Sequence, residues 1–457
     1  MAFNTAGFLF LFFPAAFLLY RLMPGRRTKN VFLAIASALF YGFGGLASLP
    51  VLLAAFLWDY LFGRLIAKDE KRAKLWCGIA AAGNLALLGF YKYLAFVLET
   101  LHLPALSQPF ALPLGISFFT FHGISYLVDV YREPSRVCRR ADTLFLYLAF
   151  FPRLIAGPII RWQDAAAQLA EHPISPEMTA AGLRRLVRGL LKKLLLAESA
   201  AAVANAVYAL APEQLGMGLA WLGAVSYCLQ IFFDFSGYSD MAIGIGMLFG
   251  FEFPENFNYP YVSGSVSEFW RRWHMTLNRW FVDYLYIPLG GSRNGKRRLL
   301  LSLFVVWTLT GLWHGAAWNF VLWGLVLFVF IALEKFCIGG FLERHRFLSR
   351  LYFLFLIPQT WVVFRISDLG ELGDYFSRLY PFLSSGESVF AGDLLRQLES
   401  YWWLFALGIL LATPWPRRFY EKYRATPLVW LPLFAVFWLC LYLIATGTGN
   451  PFLYARF

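Results

Sequence analysis

Apolar residues occur along this chain in long runs that short polar segments separate. Most runs approach the roughly 20 residues that a helix needs to cross the hydrocarbon core of a bilayer. The runs that predict a membrane-spanning helix are 8–20, 30–48, 49–66, 75–98, 110–130, 194–211, 218–235, 299–317, 318–336, 351–366, 401–413 and 427–446. Two further apolar stretches, 143–160 and 238–253, contain Pro or Gly, and we expect them to enter the membrane without crossing it. The pattern predicts an all-α polytopic membrane protein with about 11–13 transmembrane or re-entrant helices.

The amino-acid composition agrees with this pattern. Of the 457 residues, 59% are hydrophobic and 15% are charged, whereas soluble proteins are about 25% charged. Because the apolar excess extends over the whole chain, a set of soluble domains, a disordered chain and a small disulfide-linked protein are all excluded. We therefore expect a single transmembrane domain over residues 1–457, with no separate soluble domain.

The net charge of +13 comes mainly from basic clusters between the apolar runs. Such clusters mark the cytoplasmic side of a membrane protein, whereas a nucleic-acid groove needs basic residues on one water-facing surface. We therefore predict a lipid bilayer as the surroundings and no nucleic-acid partner. The clusters that hold 29 of the 40 Lys and Arg residues are 21–29, 68–74, 132–140, 184–193, 293–298, 335–350 and 417–424.

Placing these clusters in the cytoplasm sets the orientation of the chain. The N-terminus is then outside, and so is a loop at 367–400, where six carboxylates accompany only Arg378 and Arg396. The segment at 184–193 has its cations at helical spacing. It therefore either lies along the inner interface or forms the solvated end of a span.

The densest group of polar residues occupies positions 234–291. Within it, Glu268, Arg271, Arg272 and His274 fit a single helix, and Glu268 is spaced to pair with either arginine. Spacing alone favours an amphipathic interfacial helix with an aromatic belt, and the alternative is a polar site inside the membrane. The apolar face of this predicted helix carries Trp270, Trp273, Leu277 and Trp280.

A second signal is His314, which lies in an apolar run with glycines at 311 and 315. Its imidazole either bonds a carbonyl across helices or has a functional role, and spacing does not separate the two. His122, also in an apolar segment, is a third candidate. The histidines and the five scattered cysteines lack metal-ligand spacing, and the chain lacks a phosphate loop and a nucleophile elbow. We predict no metal site and no permanently bound cofactor.

Nine short motifs are distributed over nearly the whole chain: Leu112–Phe121 (LPLGISFFTF), Asp129–Arg132 (DVYR), Ala156–Ile159 (AGPI), Ser236–Ala242 (SGYSDMA), Glu255–Phe257 (ENF), Glu268–Leu277 (EFWRRWHMTL), Asp283–Gly291 (DYLYIPLGG), Gly311–Ala316 (GLWHGA) and Asn450–Tyr454 (NPFLY). Together they resemble the signatures of the membrane-bound O-acyltransferase (MBOAT) family, in the branch of alginate O-acetyltransferase. The motifs that contain His274 and His314 are the most specific. The positions that depart from the family pattern are His122, Arg153, Asn278 and Val282.

The resemblance implies a ring of membrane helices around a central funnel, and acyl transfer from a thioester to a hydroxyl. It implies that His314 is the base that takes the hydroxyl proton, since imidazole titrates near neutrality. It also implies that His274 orients the acceptor or donates to the oxyanion. The residues for which it predicts a substrate-binding role are Arg271, Arg272, Trp273, Asn278, Trp313, Asp234, Ser236 and Asp240.

By the same resemblance, the donor is acetyl-CoA or a carrier thioester, and it is a substrate rather than a bound cofactor. The acceptor is an exported polysaccharide such as alginate, cellulose or peptidoglycan, and an esterase-like extracytoplasmic transferase is the expected partner. These expectations place the chain in the bacterial cytoplasmic (inner) membrane. D-alanyl transfer to teichoic acid from a carrier protein is the alternative within the family. A transporter or channel is the alternative from another class, but the chain shows no repeated halves.

Overall fold

The computed structural model describes residues 3–104, 111–380, 382, 392–424, 426–447 and 452–453. Within these ranges the chain forms helices and connecting segments without a β-strand. This confirms the predicted all-α class.

The first eleven α-helices are α1 (Phe13–Leu22), α2 (Gly25–Gly45), α3 (Leu49–Lys68), α4 (Ala73–Leu88), α5 (Leu94–Thr100), α6 (Ile116–Arg132), α7 (Ala141–Ala149), α8 (Trp162–Ala170), α9 (Pro176–Leu191), α10 (Glu198–Tyr208) and α11 (Met217–Leu248). They are followed by α12 (Val266–Arg272), α13 (Met275–Phe281), α14 (Gly295–His314), α15 (Trp318–Leu333), α16 (Gly339–Arg344), α17 (Arg346–Arg365), α18 (Leu369–Leu379), α19 (Gly392–Leu411), α20 (Trp415–Tyr423) and α21 (Pro427–Ala445). Short π-helical segments are Gly7–Phe12, Gly89–Tyr93, Lys192–Ala197, Val282–Tyr286 and Glu334–Ile338. Short 3-10 turns are Leu46–Ser48, Glu70–Arg72, Pro134–Arg136, Pro212–Gln214 and Pro260–Val262.

Six helical stretches in the described part of the chain are long and apolar enough to cross a membrane. They are Gly25–Lys68, Glu70–Thr100, Met217–Leu248, Trp318–Arg344, Arg346–Arg365 and Pro427–Ala445. The first of them contains two predicted spans, α2 and α3, joined through a 3-10 turn. Other predicted spans form helices that are shorter or less apolar, such as α6 and α10. The polytopic helical architecture is therefore confirmed, although fewer helices than expected meet these criteria.

The longest helix, α11, corrects one prediction. The sequence predicts a crossing helix and then a re-entrant stretch over residues 218–253, but α11 is one continuous and mostly buried helix. Its glycines are points of close packing rather than breaks, because a Cβ at Gly244 would lie 2.7 Å from the carbonyl oxygen of Gly182 in α9. Small residues let two membrane helices approach closely. This explains why the glycines do not interrupt the helix.

The other predicted re-entrant stretch, 143–160, is helical only in α7 and continues as buried, non-helical backbone. Buried backbone of this kind needs polar partners. The Tyr147 hydroxyl donates to the carbonyl oxygen of Ile160 at 2.9 Å, and the N–H of Ile159 donates to the Thr276 hydroxyl at 3.0 Å. These bonds attach the stretch to α7 on one side and to α13 on the other.

The basic segment at 184–193 does not lie alone at an interface. Residues 184–191 belong to α9, whose small residues Gly182 and Gly189 are buried against α11, and residues 192 and 193 begin the π-helical segment that follows. Cations of this basic segment line a cleft together with residues of the cluster at 417–424. Residues of the cluster at 335–350 line a neighbouring cleft, and Thr413 borders both. Three clusters that the charge pattern assigns to one side of the membrane thus lie near one another in the fold.

Residues 367–400, which the sequence predicts as an extracytoplasmic loop, contain α18 and the beginning of α19. The helix α18 packs against α11, where the Tyr375 hydroxyl donates to the carbonyl oxygen of Ala220 at 2.8 Å. Residues 381 and 383–391 of this segment lie outside the described residues. The extracytoplasmic location of the segment stays a prediction.

Candidate active site

His274 lies between two short helices, α12 and α13, and not within one helix as the sequence predicts. Its φ of 44° is in the left-handed region, which is unfavourable for residues other than glycine. The loop that contains Asn256 and Asn258 stabilises this interruption between the two helices through backbone hydrogen bonds. The N–H of Asn258 donates to the Arg272 carbonyl at 2.9 Å, and the N–H of Met275 donates to the Asn256 carbonyl at 2.9 Å. The interpretation as a single interfacial helix is therefore wrong for this segment.

Asn256 also fixes the imidazole of His274. Its side-chain Oδ1 lies 3.0 Å from Nδ1 of His274 and accepts from both the hydroxyl and the backbone N–H of Thr276, at 2.9 and 3.4 Å. Because a backbone N–H can only donate, the Asn256 amide presents its oxygen, and Nδ1 of His274 carries a proton. In the neutral ring, Nε2 is then the nitrogen with a lone pair. It is buried and has no hydrogen-bond partner within the described part of the chain.

His314 is the last residue of α14 and is 2% exposed. Aromatic rings surround its imidazole. Their centroids lie 5.0 Å away for Trp313, 5.0 Å for Trp323 and 5.4 Å for Phe364. Such surroundings exclude water and strengthen any charge interaction at the imidazole.

Lys92 and Tyr93 fix the position at which α14 ends. The Lys92 ammonium donates to the carbonyl oxygen of Trp313 at 2.5 Å, and the Tyr93 hydroxyl donates to that of Leu312 at 2.7 Å. The last carbonyl groups of a helix have no partner within the helix, so these two bonds help to place His314. The sequence interpretation missed both residues, although a lysine within an apolar run was an available signal.

Trp313 contacts both histidines. Its ring centroid is 5.9 Å from that of His274 and 5.0 Å from that of His314. Trp273 is fully buried and contacts Trp361 at 4.9 Å between centroids. Trp361 in turn contacts Trp323, which borders His314. Four of the predicted site residues, His274, His314, Trp273 and Trp313, therefore belong to one buried aromatic cluster.

The predicted acidic residues form ion pairs with α9 and the π-helical segment after it. Asp234 Oδ1 lies 2.6 Å from the Lys193 ammonium, while Asp240 pairs with Arg185 at 2.9 Å and with Lys192 at 2.7 Å. Buried carboxylates need such partners. Among the contacts of the described residues, neither carboxylate reaches a site histidine. A substrate-binding role for them stays a prediction.

The remaining predicted residues differ in their surroundings. Ser236 is buried in α11, whereas Asn278 is exposed on α13. Arg272 pairs with Glu268 at 2.9 Å, which selects one of the two arginines that the sequence allowed. Arg271 is exposed and carries its charge into a cleft beside α12.

That cleft has a volume of about 1210 Å³. Glu334 also lines it, but its carboxylate accepts from the backbone N–H groups of Val266 and Ser267 at 2.6 and 2.8 Å. A carboxylate at the start of a helix is stabilised in this way. The Glu334 carboxylate is therefore engaged with the N-terminus of α12. Glu268, which pairs with Arg272, and Glu343 also line the cleft. Cations still exceed carboxylates there, which suits an anionic ligand, and the lining cations other than Arg272 are Arg271, Lys335, Arg346 and Arg350.

His122 and Arg153, both of which depart from the family pattern, contact each other. Nη1 of Arg153 lies 2.7 Å from Nε2 of His122, and the N–H of Ile160 donates to the same nitrogen at 3.3 Å. Since both groups can only donate, Nε2 of His122 is an acceptor. The adjacent N–H of Ile159 bonds to Thr276, so this buried pair is connected to the α13 side of the site.

Comparison with known proteins identifies the family and several relatives of this chain. The model of the MBOAT, membrane-bound O-acyltransferase, family matches residues 141–363. The chain is 36% identical over 440 residues to the probable alginate O-acetylase of Pseudomonas putida, with 93% of this chain and 90% of the relative covered. It is 34% identical over 417 residues to the peptidoglycan O-acetyltransferase of Helicobacter pylori, with 81% and 78% covered. It is 29% identical over 235 residues to the teichoic acid D-alanyltransferase of Bacillus subtilis, with 49% and 59% covered.

The chain therefore belongs to the membrane-bound O-acyltransferase family. It is a multi-pass membrane protein with O-acyltransferase activity, as its motifs indicate.

Proposed function

We propose that this O-acyltransferase moves an acetyl group from cytoplasmic acetyl-CoA to hydroxyl groups of an extracytoplasmic polysaccharide, directly or through an esterase-like partner transferase. The observation that carries the proposal is the burial of His274 and His314, both of which contact the ring of Trp313. Relatives named for alginate and for peptidoglycan support a polysaccharide acceptor. The inner membrane suits this reaction, because a cytoplasmic thioester and an exported glycan can both reach a protein there.

In the proposed reaction, His314 is the general base. It takes the proton of the acceptor hydroxyl while that oxygen attacks the carbonyl carbon of the thioester. The carbon–sulfur bond then breaks, and the leaving thiolate receives the proton from His314. The products are an acetyl ester and the free thiol of CoA. The aromatic rings around His314 support this role, since exclusion of water protects the thioester from hydrolysis.

The proposed role of His274 is to orient the acceptor. Its Nε2 lone pair can accept a hydrogen bond from a neighbouring hydroxyl of the acceptor sugar, because Asn256 holds the proton on Nδ1. The same tautomer cannot donate from Nε2. Of the two roles that the sequence left open for His274, orientation therefore has the better support.

The cations of the cleft beside α12 support an anionic thioester donor. Arg271, Lys335 and Arg350 line this cleft, and their positive charges would attract the phosphate groups of CoA. D-alanyl transfer to teichoic acid has less support, because the relative with that name matches about half of the chain. Membership of an acyltransferase family argues against the transporter alternative.

The test is to replace His314 with Gln and to measure labelled acetyl transfer to candidate glycans together with binding of acetyl-CoA. If His314 is the base, transfer should fall by about a hundredfold or more, because an amide cannot take the proton. Binding of acetyl-CoA should persist, since the base acts on the acceptor. His345→Gln, at an exposed position, is the matched control.

Transfer by His314→Gln within a few-fold of wild type would remove the catalytic assignment. His274→Ala should insert and fold but lose most transfer. Near-normal transfer by that variant would leave His274 with a packing role.

A further inference from the structure

A second cleft, of about 340 Å³, lies between α9 and α20. Phe232 and Phe257 line its inner wall, and Phe257 packs against Trp273 with 5.0 Å between centroids. An aromatic layer therefore lies between this cleft and the site histidines. The cations that line it come from two regions of the sequence: Arg184, Arg185, Arg188, Lys192, Arg417 and Arg424.

Carboxylates neutralise only some of these cations. Asp240 and Glu255 both pair with Arg185, at 2.9 and 2.5 Å, and Asp240 also pairs with Lys192 at 2.7 Å. Glu421 pairs with Arg417 at 2.6 Å. The three carboxylates that line the cleft are thus already engaged in ion pairs with Arg185, Lys192 and Arg417.

Three arginines of the cleft remain without an ion pair in the part of the chain that the structure describes: Arg184, Arg188 and Arg424. The Nε atoms of Arg184 and Arg188 are buried and have no hydrogen-bond partner there. Arg188 also stacks over the ring of Tyr420, 4.8 Å from its centroid. Arg184 and Arg188 are partly buried, whereas Arg424 is exposed. Guanidinium groups that line one cleft without carboxylate partners favour an anion with several acceptor oxygens, such as a phosphate.

The surroundings of the cleft indicate that this anion carries acyl chains. On α20, Trp415 is 71% exposed and Phe419 is 51% exposed, beside the cationic residues of the same helix. This is the pattern of a helix that lies in the headgroup region of a membrane. The next helix, α21, packs against α9 and exposes Phe434 and Trp438. A ligand with a phosphate in the cleft could therefore lay its chains along α21.

We propose that the cleft between α9 and α20 binds the phosphate of an anionic phospholipid headgroup. Basic pockets between membrane helices on the cytoplasmic side are suited to such headgroups. A soluble phosphate would meet the same arginines but would gain nothing from the apolar surface of α21. Arg185 is not substituted in the test. It pairs with Glu255, which precedes Asn256 in the chain, so its loss could also disturb the residue that orients His274.

The test titrates delipidated full-length protein with phosphatidylglycerol or phosphatidylcholine and counts bound lipid by native mass spectrometry. Wild type should bind phosphatidylglycerol in preference to phosphatidylcholine. Arg184→Gln/Arg188→Gln should weaken phosphatidylglycerol binding about tenfold or more, since each arginine contributes to attraction of an anionic lipid. Lys296→Gln/Arg297→Gln removes two exposed cations of another basic cluster and should leave that binding within about twofold of wild type.

Three results would overturn the proposal. They are equal binding of the two lipids by wild type, equal weakening in the Lys296→Gln/Arg297→Gln control, and displacement of the lipid by glycerol 3-phosphate at an equal concentration. The last result would assign the cleft to a soluble phosphate. Arg184→Lys/Arg188→Lys keeps both charges and should retain binding, which separates loss of the site from loss of the fold.

Discussion

The hydrogen bond from His274 to Asn256 determines which nitrogen of the imidazole is available. An amide oxygen fixes the tautomer without placing a negative charge in a buried site, whereas an aspartate there would need a partner of its own. Asn256 is fixed in turn, because its amide nitrogen donates to Ser239 at 3.1 Å. The site histidine is thus oriented by a short series of uncharged groups.

The buried His172, in the loop after α8, should make the stability of the folded protein depend on pH. Its ring bonds to the Tyr20 hydroxyl at 2.8 Å and to the Asn30 side chain at 2.7 Å. Burial lowers the pKa of His172 to about 4, so the folded protein prefers the neutral ring. The stabilisation is fully present above the unfolded pKa of about 6.5. It is lost as the pH falls from there towards 4.

We therefore expect the thermal midpoint of the purified protein to fall between pH 7 and pH 5. The fall should be smaller in His172→Gln, which lacks the titrating group. His102→Gln, at an exposed position, should keep the wild-type pH profile. A profile of His172→Gln that matches wild type would contradict the assignment.

At the scale of single residues, the sequence predicts which side chains carry the chemistry better than it predicts which residues those side chains contact. The motifs of His274 and His314 are local and can be recognised from neighbouring residues. Asp240 is different, because its partner Lys192 lies 48 residues earlier in the chain. No local pattern predicts that pairing, so the sequence alone does not reveal the ion pairs of this carboxylate.

At the scale of elements, the break between α12 and α13 depends on a distant segment. The residues around Trp273 and His274 fit a helix by spacing, and the sequence predicts one. Hydrogen bonds with Asn256 and Asn258, 14 to 20 residues earlier, override that preference. Tertiary contacts of this kind lie outside what periodicity can indicate.

The contact between α14 and α15 gives a prediction about Gly311. A Cβ at this position would lie 2.3 Å from the carbonyl oxygen of Phe320 and 3.3 Å from Gly324. Gly311→Ala should therefore separate the two helices and destabilise the protein by about 1–3 kcal/mol. It should also shift His314, which lies about one helical turn from residue 311. The measurements are the thermal midpoint and acetyl transfer.

Gly78→Ala on α4 is the control, because a Cβ there meets nothing within 4 Å. It should be neutral or slightly stabilising. Equal effects of the two substitutions would show that the contact between α14 and α15 does not position His314.

At the scale of the whole molecule, hydropathy predicts the helices well because a bilayer-crossing helix must be long and apolar. It predicts the number of crossings less well. Helices such as α6 are almost completely buried and carry polar residues that bond to other helices, as Ser125 does with Tyr284 at 2.7 Å. The polar groups needed for such packing lower the hydropathy of the segments in which they lie.

The charge pattern predicts that the segment at 367–400 is outside and the cluster at 293–298 is inside. Asp374 and Arg297 are exposed on α18 and α14 and report on the two sides. In a Cys337→Ser background, which removes an exposed native thiol, an impermeant maleimide should label Asp374→Cys in intact cells. Arg297→Cys should require permeabilisation. The reverse pattern would invert the topology.

The left-handed backbone of His274 has a consequence for engineering. A glycine adopts this conformation without steric cost, whereas alanine does not. His274→Gly should therefore have a higher thermal midpoint than His274→Ala, although both remove the same imidazole. A midpoint for His274→Ala equal to or above that of His274→Gly would show that the backbone is relaxed there. If the difference is found, libraries screened only for yield or heat resistance will tend to replace His274 with glycine, so any stabilisation programme for this enzyme needs an activity screen at each round.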